Sequence, residues 1–473
     1  METHNQENRV GMVACKWDCG KDKVIEIASK AKKIGKDDPR KVVHSMKVGS
    51  ALTLVSLLYY FTPLYDGFGE AGMWAILTVV VVFEFTVGGT LSKSLNRGFA
   101  TLVAAALGVG AEYLAGLSGE KGEPILRAIF VFVIATAATF IRFFPNVKSR
   151  YDYGVLIFIL TFSLVAVSGF RVTLIIQLAH QRLATILIGG AACMLISIFV
   201  CPVWAGQDLH NLVAGNIANL AAFLDGFGGE FFSFPGNEGT EFGSHDQEDK
   251  SFLIAYKSVL NSKATEESLA NFAWWEPGHG RFRFRQPWKQ YLKIGVLARE
   301  CAGQIDALSR CIKNSKPKVA SEIHKKIQKP CTTMSIELGK GLKELSCAIK
   351  DMKFPSSAVE TFIQNSKAAS DDLKNILEVC LQSKHDLQEI MQLLMVASAL
   401  TDIFKSVEKL LLPVHQLAQK ARFEKAKSPD KQQQLIHAGI VNPNDEGGDR
   451  VVIDIYSVAN DSSEKKSSSN AEI

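Results

Sequence analysis

The residues of this chain with the strongest claim to chemistry are charges set into apolar surroundings. Lys47 precedes the run VGSALTLVSLLYY, and Arg97 precedes GFATLVAAALGVG. Arg127 and Arg142 bracket AIFVFVIATAATFI, Arg182 precedes LATILIGGAACMLISIFV, and Glu84 interrupts VVVVFEFTVGG. An ionisable group in or at the end of a membrane-length apolar run is costly, and is a functional candidate for that reason. Most of these charges are positive. Cations lining a pore favour anions, because each offsets part of the dehydration cost of a permeating carboxylate. The competing reading is snorkelling, in which long side chains reach the headgroups from a span end. Lys47 and Arg127 fit both readings equally, whereas Arg97 and Arg182 fit pore lining better. Glu84 lies too far into its run to snorkel, so it is expected to pair with a cation, for structure or for gating.

No other constellation competes. The ten histidines are scattered, with no HExxH, and the sequence holds no GxxxxGK[ST] and no GxSxG. These absences argue against an enzyme or an ATP-driven pump, and no cofactor is implied. The nine cysteines form no CxxC pair, which argues against a disulfide framework or a zinc site. Net charge is only +5, too weak for a nucleic-acid binder. The segment WWEPGHGRFRFRQPWKQY mixes tryptophan with arginine, as single-strand binders do. It reads better as a Pro- and Gly-punctuated corner, with Glu276 partnering one of the arginines.

A bilayer span needs about 20 apolar residues. Six such segments follow one another: Val48–Tyr65, Met73–Gly89, Phe99–Leu117, Ile125–Ile141, Tyr153–Phe170 and Leu183–Trp204. Residues 1–47 are polar and basic, without a signal peptide's apolar core. They, and the basic connections LSKSLNR and RFFPNVKSRYD, are expected in the cytoplasm, with the acidic loops PLYDGFGEAG and SGEKGEP outside. Arg171 and Arg182 break this pattern in the fifth connection, whose LIIQLA stretch is expected to dip into the membrane. Glycine and alanine clusters within the spans (Gly108, Gly110, Gly189 to Ala192) suit close helix packing.

The expected fold is all-α: a six-helix transmembrane block over 48–204, a cytoplasmic helical bundle over 205–425 and a disordered polar tail over 426–473. Helical periods are expected near Gln290–Ile312, Met334–Met352, Ser357–Leu381 and Lys384–Ala421, with a loop over Gly226–Lys250.

Several long runs resemble the plant aluminium-activated malate transporter family. They are DDPRKVVHSMKVG, MWAILTVVVVFEFTVGGTLSKSLNRG, FIRFFPNVKSRYDYGVLIFILTFSLVAVSG, LAHQR, CPVWAGQDLH and KSVLNSKATEESLANFAWWEPGHGRFRFRQPWKQY. The resemblance is dense from Asp38 to Tyr291 and thin beyond. It implies a dimeric channel that passes malate and other anions down their gradient, each subunit giving six spans and a helical cytoplasmic domain. It places the family's basic pore positions on Arg97 and Arg182, and acidic positions important for transport on Glu266, Glu267 and Glu276. Aluminium-gated relatives carry an outer acid before the second span and two more between spans five and six. Asp66 keeps the first, but Thr173 and Gln177 stand at the other two. The resemblance therefore implies channel activity more strongly than an aluminium response. The closest-looking motifs suggest the plasma membrane rather than the vacuolar membrane. The alternatives are a coupled transporter, proton-linked through Glu84, for which no internal repeat is visible, and a membrane-anchored scaffold, which leaves the basic span ends unexplained.

Overall fold

The computed structural model describes residues 23–60, 72–167, 172–231, 252–283, 286–314, 322–382 and 387–424. These belong to one compact unit, Met1–Lys425; the second, Ala426–Ile473, lies outside the described residues, as does the expected disordered tail. Among the described residues the regular elements are helices, and the extended backbone is limited to two isolated bridges, His279 with Phe282 and Lys353 with Glu424.

An exposed helix α1 (23–37) leads into α2 (Pro39–Tyr60). Then follow α3 (Gly72–Val82), α4 (Val87–Gly116), α5 (Gly119–Ile141), the short α6 (Pro145–Arg150), α7 (Asp152–Val167) and α8 (Val172–Phe199). Among the described residues, four helices are long and apolar enough to cross a membrane: Val87–Gly116, Lys121–Ile141, His180–Phe199 and Ile390–Lys420. The first three fall in this block. The fourth is more than half buried within the bundle described below. The apolar helices α3 and α7 are shorter, at 11 and 16 residues. The stretches expected as spans overlap α2, α3, α4, α5, α7 and α8, apart from 61–65 and 168–170, which lie outside the described residues, and three of these helices meet the length and composition of a span unaided.

Two boundaries move. LSKSLNR was expected to be a loop but is the second and third turns of α4, which runs without a break for 30 residues. The Thr86 hydroxyl caps this helix by accepting from the N–H of Gly89, so the true break is Phe83–Thr86. The polar run is helical because it is the inward face: Ser92, Ser94, Asn96 and Arg97 are all buried. LIIQLA forms the first turns of α8, continuous with the helix that carries Arg182. Small residues let the helices approach. A Cβ on Gly108 would fall 2.6 Å from Val165, and one on Gly189 would fall 2.8 Å from the Ala75 carbonyl oxygen.

Among the described residues seven helices form the bundle: α9 (Ala205–Phe231), α10 (Phe252–Leu260), α11 (Lys263–Ala273), α12 (Trp288–Asn314), α13 (Glu322–Asp351), α14 (Ala358–Leu381) and α15 (Leu387–Lys420). Its centre is the α9–α13 contact. Leu209, Val213, Ile217, Leu220 and Leu224 form one stripe of α9, and Met334, Leu338, Leu342 and Leu345 one stripe of α13. Burying each such side chain stabilises by about 1.5–3 kcal/mol. The Ser346 hydroxyl donates to the Ala214 carbonyl at 2.8 Å and locks the register of the pair. Helix α13 starts twelve residues before the expected Met334 and accommodates Pro330 in its interior. The loop expected from Gly226 starts later, since α9 continues to Phe231.

Candidate functional site

The charged residues of the apolar block divide by what neutralises them. Arg127 pairs with both Glu112 and Glu123. Arg142 forks onto the Asp152 carboxylate at 2.7 and 3.1 Å. Lys93 pairs with Glu84, and the Lys47 ammonium donates to the Cys201 carbonyl at 2.8 Å. Glu84 does find the cation expected of it, but it sits in the break between α3 and α4 rather than in mid-span.

Arg97 and Arg182 differ from these. Among the described residues neither has a carboxylate partner. Arg97 is buried; its Nη1 donates to the Tyr153 hydroxyl at 3.2 Å, and its Nε has no partner. Arg182 lies over the Trp74 ring at 4.3 Å, and its Nε is also unpartnered. A buried guanidinium without a counter-charge is unfavourable unless water or an anion solvates it.

The two guanidinium-bearing positions are close in height. Helices α4 and α8 run antiparallel, with Ser94 against Gly190 and Gly98 against Leu187. That register puts Arg182 about five residues, roughly 8 Å, beyond Arg97 along the axis. Each lies ten residues inside its helix. Arg97 and Arg182 therefore stand at neighbouring heights along the α4–α8 pair.

Around Arg97 lies a feature that the sequence reading missed. Thr90, Ser94, Arg97 and Thr101 follow helical spacing on α4 and are buried, and the Ser94 and Thr101 hydroxyls, like Arg97 Nε, have no partner. Its signal was available: small hydroxyl residues at three- and four-residue steps from a membrane arginine.

The three acids of the second region separate completely. Glu266 on α11 is fully buried, paired with Arg299 of α12, and accepts from Ser262 at 2.7 Å and from Asn216 of α9 at 3.1 Å. Glu267, the next residue, is exposed. Glu276 was expected to partner an arginine, but it instead receives backbone N–H groups. Its Oε1 accepts from Ala205 at 2.6 Å and from Gly88 at 3.3 Å, and its Oε2 accepts from Gly206 at 3.0 Å. It therefore sits on the first turns of α4 and α9 together, where free N–H groups and the helix dipole favour an anion. Burial still dominates and pushes its pKa up to about 7, against the lowering effect of those three bonds.

Glu276 is one part of a joint between block and bundle. Val87 N–H donates to the Val203 carbonyl at 2.9 Å. Arg40 of α2 bridges Asp38 at 3.2 Å and Asp208 of α9 at 3.0 Å. Arg150 lies over the Trp274 ring at 4.7 Å, so the α6–α7 turn is held too. Asp66 lies outside the described residues. Thr173 and Gln177 occupy the first turns of α8, and their side chains are not described. Among the described residues no group of histidine, cysteine, aspartate and glutamate side chains is arranged to hold a metal ion.

The family model described as aluminium activated malate transporter matches residues 32–394. The Arabidopsis thaliana protein named aluminum-activated malate transporter 2 is 50% identical over 455 residues, covering 96% of this chain and 89% of that relative. The Arabidopsis thaliana transporter 1 is 50% identical over 413 residues, 86% of this chain and 82% of the relative. The Triticum aestivum transporter 1 is 45% identical over 435 residues, 89% and 92% of the two.

Proposed function

Since the chain belongs to the aluminium-activated malate transporter family, a family of transporters and not of enzymes, we propose that it is a channel passing malate and other small anions through a membrane by electrodiffusion. Six spans, α2, α3, α4, α5, α7 and α8, form the conducting block in a lipid bilayer. The bundle lies in the cytoplasm beneath it, and two copies assemble. The observation that carries this reading is the pair Arg97 and Arg182, without carboxylate partners among the described residues and flanked by the unpartnered hydroxyls of Ser94 and Thr101. Such a lining stabilises a passing dianion without trapping it in a closed ion pair. Lys47 and Arg142, each already engaged, help set the field at the ends of the path. Glu84 with Lys93, Glu266, Glu267 and Glu276 belong to the gating and regulatory parts. The plasma membrane is the proposed site. Asp66 alone of the three outer acids remains, so the channel opens without aluminium.

The test is voltage clamp of a low-background cell with malate inside, with and without external aluminium. The expected result is an inward, malate-carried current whose reversal potential follows the malate gradient and ignores the proton gradient. A reversal potential that moves with external pH at fixed malate would replace electrodiffusion by proton coupling.

A further inference from the structure

We propose that a cleft of about 430 Å³ at the head of α9 is a binding site for a small dianion carrying carboxylate or phosphate oxygens. The cleft is separate from the conducting block and holds none of the residues assigned above.

Its charge is one-sided. Arg281 and Lys350 lie on its wall, and no aspartate or glutamate does. Among the described residues neither cation has an ion-pair partner. Burial, with a smaller effect of Arg281, holds the His210 imidazole below its ordinary pKa. His210 itself is engaged at both nitrogens, Nδ1 with the Tyr291 hydroxyl at 3.0 Å and Nε2 with the Lys350 carbonyl at 3.3 Å. That second bond fixes the imidazole against the end of α13.

The wall is also rigid. His279 and Phe282 exchange two backbone hydrogen bonds of 2.8 Å, closing a tight turn in which Gly280 takes φ +48° and Arg281 sits at the tip. The His279 ring stacks on Trp204 at 3.7 Å. Its Nδ1 faces the Pro277 carbonyl and so carries the proton, while its Nε2 is buried without a partner. Helix α9 adds two amides one turn apart to the lining, Gln207 and Asn211. Two cations and two amides in one lining match a small dianion with separated oxygens. The volume is at the small-ligand end of the usual range, about 300–1,000 Å³. Two exposed cations give weak binding, with a dissociation constant of about a millimolar. Occupancy bears on the turn whose N–H groups hold Glu276, so binding has a route to the joint; that consequence, unlike binding itself, rests on the channel reading.

The experiment is calorimetric titration of the full chain in lipid nanodiscs with L-malate, with inorganic phosphate and with acetate. Wild type and R283Q, whose arginine is outside the cleft, are expected to bind at least one dianion alike, and the double variant R281Q/K350Q to bind it at least tenfold more weakly. Preference for malate assigns a dicarboxylate site, and preference for phosphate assigns a phosphate site. Unchanged binding in R281Q/K350Q, equal weakening in R283Q, or acetate binding as well as either dianion would overturn the proposal.

Discussion

The Glu276 carboxylate accepts the backbone N–H of Gly88, a residue 188 positions earlier in the chain, at 3.3 Å. Gly88 is in the first turn of the helix that carries Arg97, and the same carboxylate holds the first turn of α9. One side chain thus ties the arginine-bearing helix to the bundle. Its energetics are poised, because the charged form gains three N–H donors but loses water.

Stability is expected to depend on pH through Glu276. Its pKa of about 7 in the folded chain exceeds the ordinary 4.5, so between those values the folded state holds a proton that the unfolded state has released. The contribution to stability is therefore greatest below about pH 4.5 and declines as pH rises through 7. Thermal unfolding of the full chain in detergent should follow that decline in wild type. E276Q cannot titrate there, and its midpoint should be flat over the same interval. E276A removes the acceptor for three N–H groups and should cost about 2–4 kcal/mol. Parallel pH curves for wild type and E276Q would place the titration elsewhere.

Gly88→Ala should uncouple the joint by steric means alone. The added Cβ would lie 2.3 Å from the Phe272 carbonyl oxygen, which is backbone and cannot swing aside. Gly110→Ala, where nothing lies within 4 Å, is the matched control. Surface abundance and current should fall for G88A and stay at wild-type level for G110A.

The acids of the bundle should separate in the same assay. E266Q leaves Arg299 buried without its carboxylate and is expected to cost about 3–5 kcal/mol in unfolding experiments. E267Q changes an exposed side chain and should stay within about 0.5 kcal/mol of wild type. Transport lost in E266Q is then lost with the fold, whereas transport lost in E267Q at normal stability would reveal a surface contact.

Much of this architecture was legible in the sequence. Long apolar runs announce helices because a backbone in lipid must satisfy itself, and the bundle helices α12, α14 and α15 began and ended within a few residues of their 3.6-residue periods. What failed was polarity taken as exposure. LSKSLNR has the composition of a loop, yet Ser92, Ser94, Asn96 and Arg97 are buried on one continuous helix. Membrane proteins can invert the usual rule, placing polar residues inside and apolar ones outside, as the exposed Phe99, Leu102 and Val103 on the same helix show. Glu276 was identified, but not its partners. Backbone N–H groups from residues 71 and 188 positions away leave no pattern in side-chain identity.

Neutralising the arginines should distinguish conduction from folding. R97Q and R182Q each remove a guanidinium that has no carboxylate partner among the described residues, so the folded channel should reach the membrane in normal amount. Anion current should drop several-fold in both, and with it the preference for dianions over monoanions, since the field that concentrates charge weakens. R127Q is different. It strands Glu112, which is 6% exposed, together with Glu123. That change should cost about 3–5 kcal/mol and lower surface abundance while leaving current per channel and selectivity unchanged. R142Q frees Asp152 at a third-exposed site and should alter neither strongly. Current recorded beside surface biotinylation separates the two effects. Equal loss of current per channel in R97Q, R182Q and R127Q would show that the uncompensated pair has no special part in permeation.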